Sequence, residues 1–156
     1  MKKLIALCFT MCFFTAIGTA QKLTQKDLQG TWKMERFSAN GIVIDLWAAT
    51  ITLSPELEKQ LTAEQKKDIQ SGMAQVMEVF KESYAYVDGN NLRQTMGPQE
   101  QKGTFTVKDQ DGKQFLAFTS EAGVAEDMAV SIKDKKLYIS QGTGAEAAEF
   151  IYTKQP

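Results

Sequence analysis

The spacing of hydrophobic and polar residues changes along the chain. After an apolar N-terminal run, two stretches rich in β-branched residues are followed by a segment with apolar residues every three or four positions. From position 84 onward, short segments alternate apolar and polar residues. A period of two predicts half-buried strands, and a spacing of three and four predicts an amphipathic helix. The pattern therefore predicts a mainly β protein with one helical region before most of its strands.

The first part of the chain predicts two strand regions and then two helices. The strand regions are 31–37 and 41–53, joined by Asn40-Gly41, a hairpin signal because both residues tolerate positive φ. Ser54-Pro55 and Thr62 then provide helix-start signals, the second as a capping box with Gln65. We expect helices at 55–61 and 63–83, which together form an α-helical insertion at about 55–83.

The rest of the chain predicts an antiparallel meander. Polar turns begin at Asp88, Asp111 and Asp134, and Pro98 and Gly123 mark the connections between them. The strands predicted around these turns are 84–87, 91–96, 103–108, 114–120, 128–133, 136–141 and 149–153. Because an open sheet would leave its edges exposed, we expect an antiparallel up-and-down β-barrel of about eight strands. A two-sheet sandwich is the alternative.

The N-terminal segment has the organisation of a signal peptide. Lys2 and Lys3 precede an apolar run, and Gly18-Thr19-Ala20 offers small residues before Gln21. A membrane anchor is the alternative, but the run is shorter than a spanning helix needs. We expect a cleaved signal peptide at 1–20, a β-barrel domain at 21–156, and a periplasmic or secreted protein without stable membrane insertion.

The amino-acid composition limits which metal-binding and catalytic groups the protein can offer. The sequence has no histidine, and both cysteines, Cys8 and Cys12, leave with the predicted signal peptide. The usual zinc and transition-metal ligands are then missing, so we expect no metal, no cofactor and no enzyme activity. Removal of Lys2 and Lys3 with the signal peptide would reduce the 18 basic residues to 16, against 19 acidic residues. Scattered lysines and this acidic balance argue against nucleic-acid binding.

The segment Asp27-Leu28-Gln29-Gly30-Thr31-Trp32-Lys33-Met34 resembles the first strand of bacterial lipocalin-like domains of the calycin superfamily. Segments 102–107 and 136–140 are also similar to strands of that group. The resemblance implies that Trp32, after Gly30, packs across the closed end of the barrel beneath a basic residue of the last strand. In this sequence that residue is Lys154.

Several residues are candidates for a ligand site. Met73, Met77 and Phe80 share one helix face and could form an adaptable lid, although such a stripe also suits core packing. Phe105 and Phe118 could line a cavity or fill the core. Arg36 alternates in phase with Trp32, so it could point inward and clamp a carboxylate; a solvated or salt-bridged arginine is the alternative.

These observations predict a non-catalytic carrier of a small hydrophobic or amphipathic molecule, such as a lipid, held in a barrel cavity. The alternative is a filled barrel that uses its helical insertion as a surface for a protein partner. A cavity lined by Met73, Met77 and barrel aromatics favours the carrier. A packed interior with an exposed apolar helix face favours the partner surface.

Overall fold

The computed structural model describes residues 22–144 and 147–156, except the side chain of Met73. The predicted signal peptide lies outside this range. The helices are α1 (Gln25–Leu28), α2 (Pro55–Gln60) and α3 (Ala63–Phe80). The strands are β1 (Gly30–Ala39), β2 (Ile42–Asp45), β3 (Thr50–Leu53), β4 (Tyr84–Asp88), β5 (Asn91–Met96), β6 (Gln99–Gln110), β7 (Lys113–Ser120), β8 (Ala125–Lys133), β9 (Lys136–Gln141) and β10 (Ala148–Lys154).

Eight of these strands form a closed antiparallel barrel. Its order is β1-β4-β5-β6-β7-β8-β9-β10, and β10 pairs back with β1. Closure pairs both edges of every barrel strand, which solves the edge problem that an open sheet would have. The predicted barrel is confirmed, and the two-sheet sandwich is excluded.

The long strand β1 pairs with different strands along its length. Its residues 30–33 pair with β4, whereas 36–39 pair with β2, so the β2–β3 hairpin extends the sheet beyond the barrel. The sequence predicted a single strand region at 41–53, and the structure divides it into two strands. The Asp45 carboxylate accepts hydrogen bonds from the backbone amides of Trp47 and Ala48, at 3.1 and 2.8 Å, and so holds a turn between the two strands.

The helical insertion is confirmed, with its predicted caps. Ser54 Oγ accepts from the Leu57 amide at 3.2 Å, and Thr62 and Gln65 form the reciprocal capping box. The helix predicted at 63–83 is α3, and it ends at Phe80. The Ser83 amide donates a hydrogen bond to the Phe80 carbonyl, and the chain then enters β4. Within the described ranges, no helix is long and apolar enough to cross a membrane.

The two ends of the barrel differ. At the end we call the base, short turns join β4 to β5, β6 to β7 and β8 to β9, as the three Asp-initiated turns predicted. The segment 22–29 crosses this base. Gln114 exchanges two hydrogen bonds with the Leu23 backbone, at 2.7 and 2.9 Å, and Gln29 does the same with Gly89, at 2.8 and 3.0 Å. The longer connections lie at the opposite end, the mouth.

Inward-facing side chains fill most of the barrel. The buried core contains Leu28, Trp32, Met34, Ala85, Val87, Leu92, Phe105, Leu116, Phe118, Met128, Val130, Leu137, Ile139, Phe150 and Tyr152. Gly103 is required beside this core, since a Cβ there would overlap the Thr119 carbonyl oxygen and lie 2.7 Å from the Phe118 ring. The lower and middle barrel is therefore packed, and the open space lies nearer the mouth.

Candidate functional site

Trp32 closes the base. Its indole is 2% exposed and donates from Nε1 to the Leu28 carbonyl at 2.7 Å. Lys154, its partner on β10, places Nζ 5.2 Å from the ring centroid, within cation–π distance. Gly30 enters β1 at φ +111°, and a Cβ at this position would lie 3.4 Å from Lys154 Cε. These contacts close the base of the barrel.

A cavity of about 150 Å³ lies between the packed core and the mouth. We call it the mouth cavity. It is lined by Met34, Gln94, Thr95, Met96, Gln99, Glu100, Gln101, Gln141, Phe150 and Tyr152. Ordinary small-molecule sites measure about 300–1,000 Å³, so this cavity fits only a compact ligand.

Aromatic rings form one wall from the mouth downward. Phe80 stacks on Phe37 with centroids 5.7 Å apart, Phe37 meets Phe150 at 5.2 Å, and Phe150 meets Tyr152 at 6.4 Å. Phe80 is the last residue of α3, and the other three belong to β1 and β10. The helical insertion thus contacts an aromatic cluster of which two members, Phe150 and Tyr152, line the cavity.

Ser83 fixes this end of the insertion on the barrel. Its side chain is fully buried, and its Oγ accepts from the Gly97 amide at 3.3 Å. Its carbonyl accepts from the Met34 amide at 2.9 Å. Val79 also packs over Gly97, where a Cβ would overlap it. These contacts seat the C-terminal end of α3 at the mouth.

The mouth cavity also has polar lining residues. Gln94 Nε2 donates to the Tyr152 hydroxyl at 3.1 Å, and Gln141 Nε2 lies 3.0 Å from the Met128 sulfur. Burial raises the pKa of Tyr152 to about 12, although the Gln94 hydrogen bond opposes the increase. The Tyr152 hydroxyl is therefore neutral at physiological pH and can donate a hydrogen bond.

Glu100 is the charged residue of the cavity rim. Its carboxylate pairs with Lys102 at 2.9 Å and with Arg93 at 3.2 Å. The hydrogen bond from Lys102, assisted by Arg93, lowers the pKa of this carboxyl. Both cations are engaged on the barrel exterior, where Arg93 also lies 4.0 Å above the Tyr86 ring.

Arg36 does not follow the alternation that the sequence suggested. The pairing of β1 with β10 shifts register between Met34 and Arg36, which marks a β-bulge. Arg36 consequently lies outside, half exposed, with Nη2 2.7 Å from Asp45 Oδ2. The structure thus places it in a salt bridge with the β2–β3 hairpin, away from the mouth cavity, and Phe37 takes the inward position.

The other predicted contact residues are distributed over two regions. Met77 and Phe80 lie half-buried on α3, and the side chain of Met73 lies outside the described part of the chain. Phe105 and Phe118, at 2% and 1% exposure, belong to the packed core. Of this set, Phe80 has a described aromatic contact with the cluster beside the cavity.

Sequence reasoning did not identify the glutamines of the cavity. Gln94 follows Leu92 by two positions, Gln141 follows Ile139 by two, and Leu92 and Ile139 are buried core residues. Since strand residues two apart share a face, these polar side chains occupy inward positions at the mouth ends of their strands. Polar residues at strand positions that face the barrel interior were the signal that could have located the site.

A larger groove runs along the outside of β8, β9 and β10 near the base, where Lys22 and Leu23 line part of it. We place the candidate site in the mouth cavity, because its lining includes the buried Phe150 and Tyr152 of the barrel interior. Within residues 22–144 and 147–156, no group of three or more His, Cys, Asp or Glu side chains is arranged to hold a metal.

Comparison with known proteins gives no assignment. No protein-family model matches this sequence, and a search of the curated proteins finds no significant relative.

Proposed function

We propose that the protein is an exported, lipocalin-like carrier that binds a small amphipathic molecule in the mouth cavity without transforming it. The observation that carries this proposal is the cavity itself, apolar along the Phe150 wall and polar along the Gln94 wall. One apolar side with a few convergent polar groups is the usual character of a small-molecule site. The Gly30-Thr31-Trp32 segment beneath Lys154 supports the lipocalin-like assignment.

The size of the mouth cavity restricts the ligand. About 150 Å³ accommodates a molecule of the size of a substituted benzene, and an apolar protein cavity of similar volume binds benzene itself. A long acyl chain would need the space that Phe105 and Phe118 fill. We therefore propose a compact ligand rather than a long-chain lipid.

The test is native mass spectrometry of the protein purified from the cells that make it. Denaturation then releases any bound compound for identification. We expect one compact molecule per chain. A bound long-chain lipid would contradict the proposed size limit, and a protein that remains empty after exposure to a small-molecule extract would contradict the carrier function.

Export is part of the same proposal and has its own test. We expect the mature protein to begin at Gln21 and to appear in the periplasmic or culture fraction. N-terminal sequencing of the purified protein measures this directly. A mature chain that keeps residues 1–20 and stays in the cytoplasm would contradict it.

A second candidate function is protein interaction through α3. Among its described side chains none is fully buried, Ile69, Val76 and Met77 are only half covered, and Val79 is 39% exposed. Incompletely covered apolar residues on one helix are typical of a partner surface. A photo-crosslinking residue at Val79 should then capture one partner in the envelope, whereas the same residue at Asp111, in a base turn, should not.

A further inference from the structure

The Tyr152 hydroxyl has an unused donor at the wall of the mouth cavity. Its ring is 1% exposed, and the oxygen accepts from Gln94 Nε2 at 3.1 Å. A phenol can donate one hydrogen bond as well as accept. Across the described residues, no hydrogen bond is donated by this hydroxyl. A ligand oxygen placed beside this hydroxyl can accept the hydrogen bond that it has to donate.

The charge of the cavity excludes an anionic ligand. Its described lining contains no lysine or arginine, and its one ionised side chain is Glu100. Burying a carboxylate without a cation is costly, and the nearby Lys102 and Arg93 cations are already paired with Glu100 on the barrel exterior. Arg36, the residue that could have clamped a carboxylate, is engaged outside with Asp45.

The apolar wall sets the remaining requirement. Met34, Met96 and Phe150 offer two flexible thioethers and one ring, which suit a flat or compact apolar group. The Phe150 and Tyr152 rings are nearly parallel, with an interplanar angle of 20°. A single ring bearing one polar substituent would contact this wall and place the substituent toward Gln94 and Tyr152.

We propose that the mouth cavity selects a compact neutral molecule bearing a carbonyl or ether oxygen, and that this oxygen accepts a hydrogen bond from Tyr152. The inference rests on the proposed carrier function and names its ligand class. Tyr152 is then the residue that distinguishes an oxygen-bearing ring from a hydrocarbon of the same shape.

Three probes of similar size test the inference by isothermal titration of the purified protein. Acetophenone carries the acceptor, isopropylbenzene has the same outline without it, and benzoate carries a charge. We expect acetophenone to bind about tenfold more tightly than isopropylbenzene, and benzoate to bind more weakly than both. In Tyr152→Phe, acetophenone should lose this tenfold advantage while isopropylbenzene keeps its affinity.

Controls separate the possible failures. Tyr86→Phe, a tyrosine on the outer face beneath Arg93, should leave all three affinities unchanged. If acetophenone and isopropylbenzene bind equally well to wild type and Tyr152→Phe, the acceptor inference is overturned and the carrier function stands. If neither binds the wild type, the carrier function itself fails.

A measurement on the wild type alone covers the case in which Tyr152→Phe does not fold. Acetophenone labelled with ¹³C at the carbonyl should shift downfield on binding, relative to its resonance in an apolar solvent, because a donated hydrogen bond polarises that group. Binding without this shift would overturn the role of Tyr152.

Discussion

Phe80, at the end of α3, stacks on Phe37 of β1 with ring centroids 5.7 Å apart. Through this contact the helical insertion touches the barrel where the aromatic wall of the mouth cavity begins. Ser83, fully buried three residues later, anchors the same end of the helix to Gly97 and Met34. The pair therefore links the end of α3, through Phe37 and Phe150, to the aromatic residues of the cavity.

Phe80→Ala should open the cavity. We expect acetophenone to dissociate at least about tenfold faster, since changes at a binding site act mainly on the dissociation rate. The loss of stability should stay near 1–2 kcal/mol, because Phe80 is only half-buried. Stopped-flow release measures the rate. Ile69→Ala, three turns earlier in α3, is the control, and an unchanged rate in a folded Phe80→Ala protein would contradict the lid role.

Trp32→Ala should lower the free energy of unfolding by about 3–5 kcal/mol, the range for truncation of a buried aromatic residue. The variant removes the base closure and leaves the Leu28 carbonyl without its 2.7 Å donor. Urea unfolding followed by circular dichroism gives the value. Lys154→Met, which removes only the cation above the ring, should cost about 0.5–1 kcal/mol. A Trp32→Ala loss below about 1 kcal/mol would refute this placement.

Gly103→Ala should destabilise the protein by about 3 kcal/mol, at the upper end of the range for overpacked cores. The added methyl group would meet both the Thr119 carbonyl and the Phe118 ring, and a backbone atom cannot yield as a side chain does. Gly72→Ala is the matched control. Gly72 lies within α3 and has open space around it, so alanine there should stabilise the helix by up to about 1 kcal/mol. Thermal unfolding of both variants compares the two sites.

Tyr152 should make the fold sensitive to alkali. Burial raises its pKa in the folded state to about 12, against about 10 in the unfolded chain. Between these two values the folded state keeps a proton that the unfolded state releases. The free energy of unfolding is therefore unaffected by the ionisation of Tyr152 below pH 10 and falls as pH rises toward 12. The loss should reach about 2–3 kcal/mol. Urea titrations at pH 9 and 11.5 measure it, and Tyr152→Phe should abolish this component while Tyr86→Phe should not.

Glu35 should make the free energy of unfolding depend on pH in the opposite direction. Burial alone would raise the pKa of its carboxyl, but hydrogen bonds from Lys136 and Thr153, both at 2.6 Å, outweigh burial and lower it. A lowered folded pKa gives stability that is present above about pH 4.3 and is lost as pH falls through the folded value. Glu35→Gln should cost about 1–2 kcal/mol at pH 7 and much less at pH 3. Glu149→Gln, at an exposed position of β10, is the control in the same urea unfolding measurements.

Local chemistry accounts for the parts of the fold that could be predicted from sequence. Met128 and Val130 alternate with polar or small neighbours, and the Asp-initiated turns mark three of the hairpins, so strand positions follow from adjacent residues. The capping box of Thr62 likewise needs only nearby positions. These signals are read over a few residues and do not depend on the rest of the fold.

The candidate site depends on pairing between distant residues. Arg36 lies in a salt bridge outside the barrel, the alternative that its sequence pattern allowed, because β1 bulges against β10, a partner far along the chain. Gln94 and Tyr152 meet only after the barrel closes, 58 positions apart in sequence. Neither the bulge nor the Gln94–Tyr152 hydrogen bond leaves a local pattern that specifies it. The division of 41–53 is different, because Asp45 binds the backbone amides two and three residues later, which is a local turn signal.

The pairing of β1 with β10 also determines when folding can finish. Trp32 pairs with Lys154, which is 154 minus 32, or 122, positions later. A chain emerging from its N-terminus can form the successive hairpins from β4 onward, but the first strand keeps one edge free until the last strand has appeared. Contacts of such large sequence separation slow folding, so ring closure should be the late step of refolding. Until then, the open edge of β1 is the surface most exposed to aggregation and most in need of a chaperone.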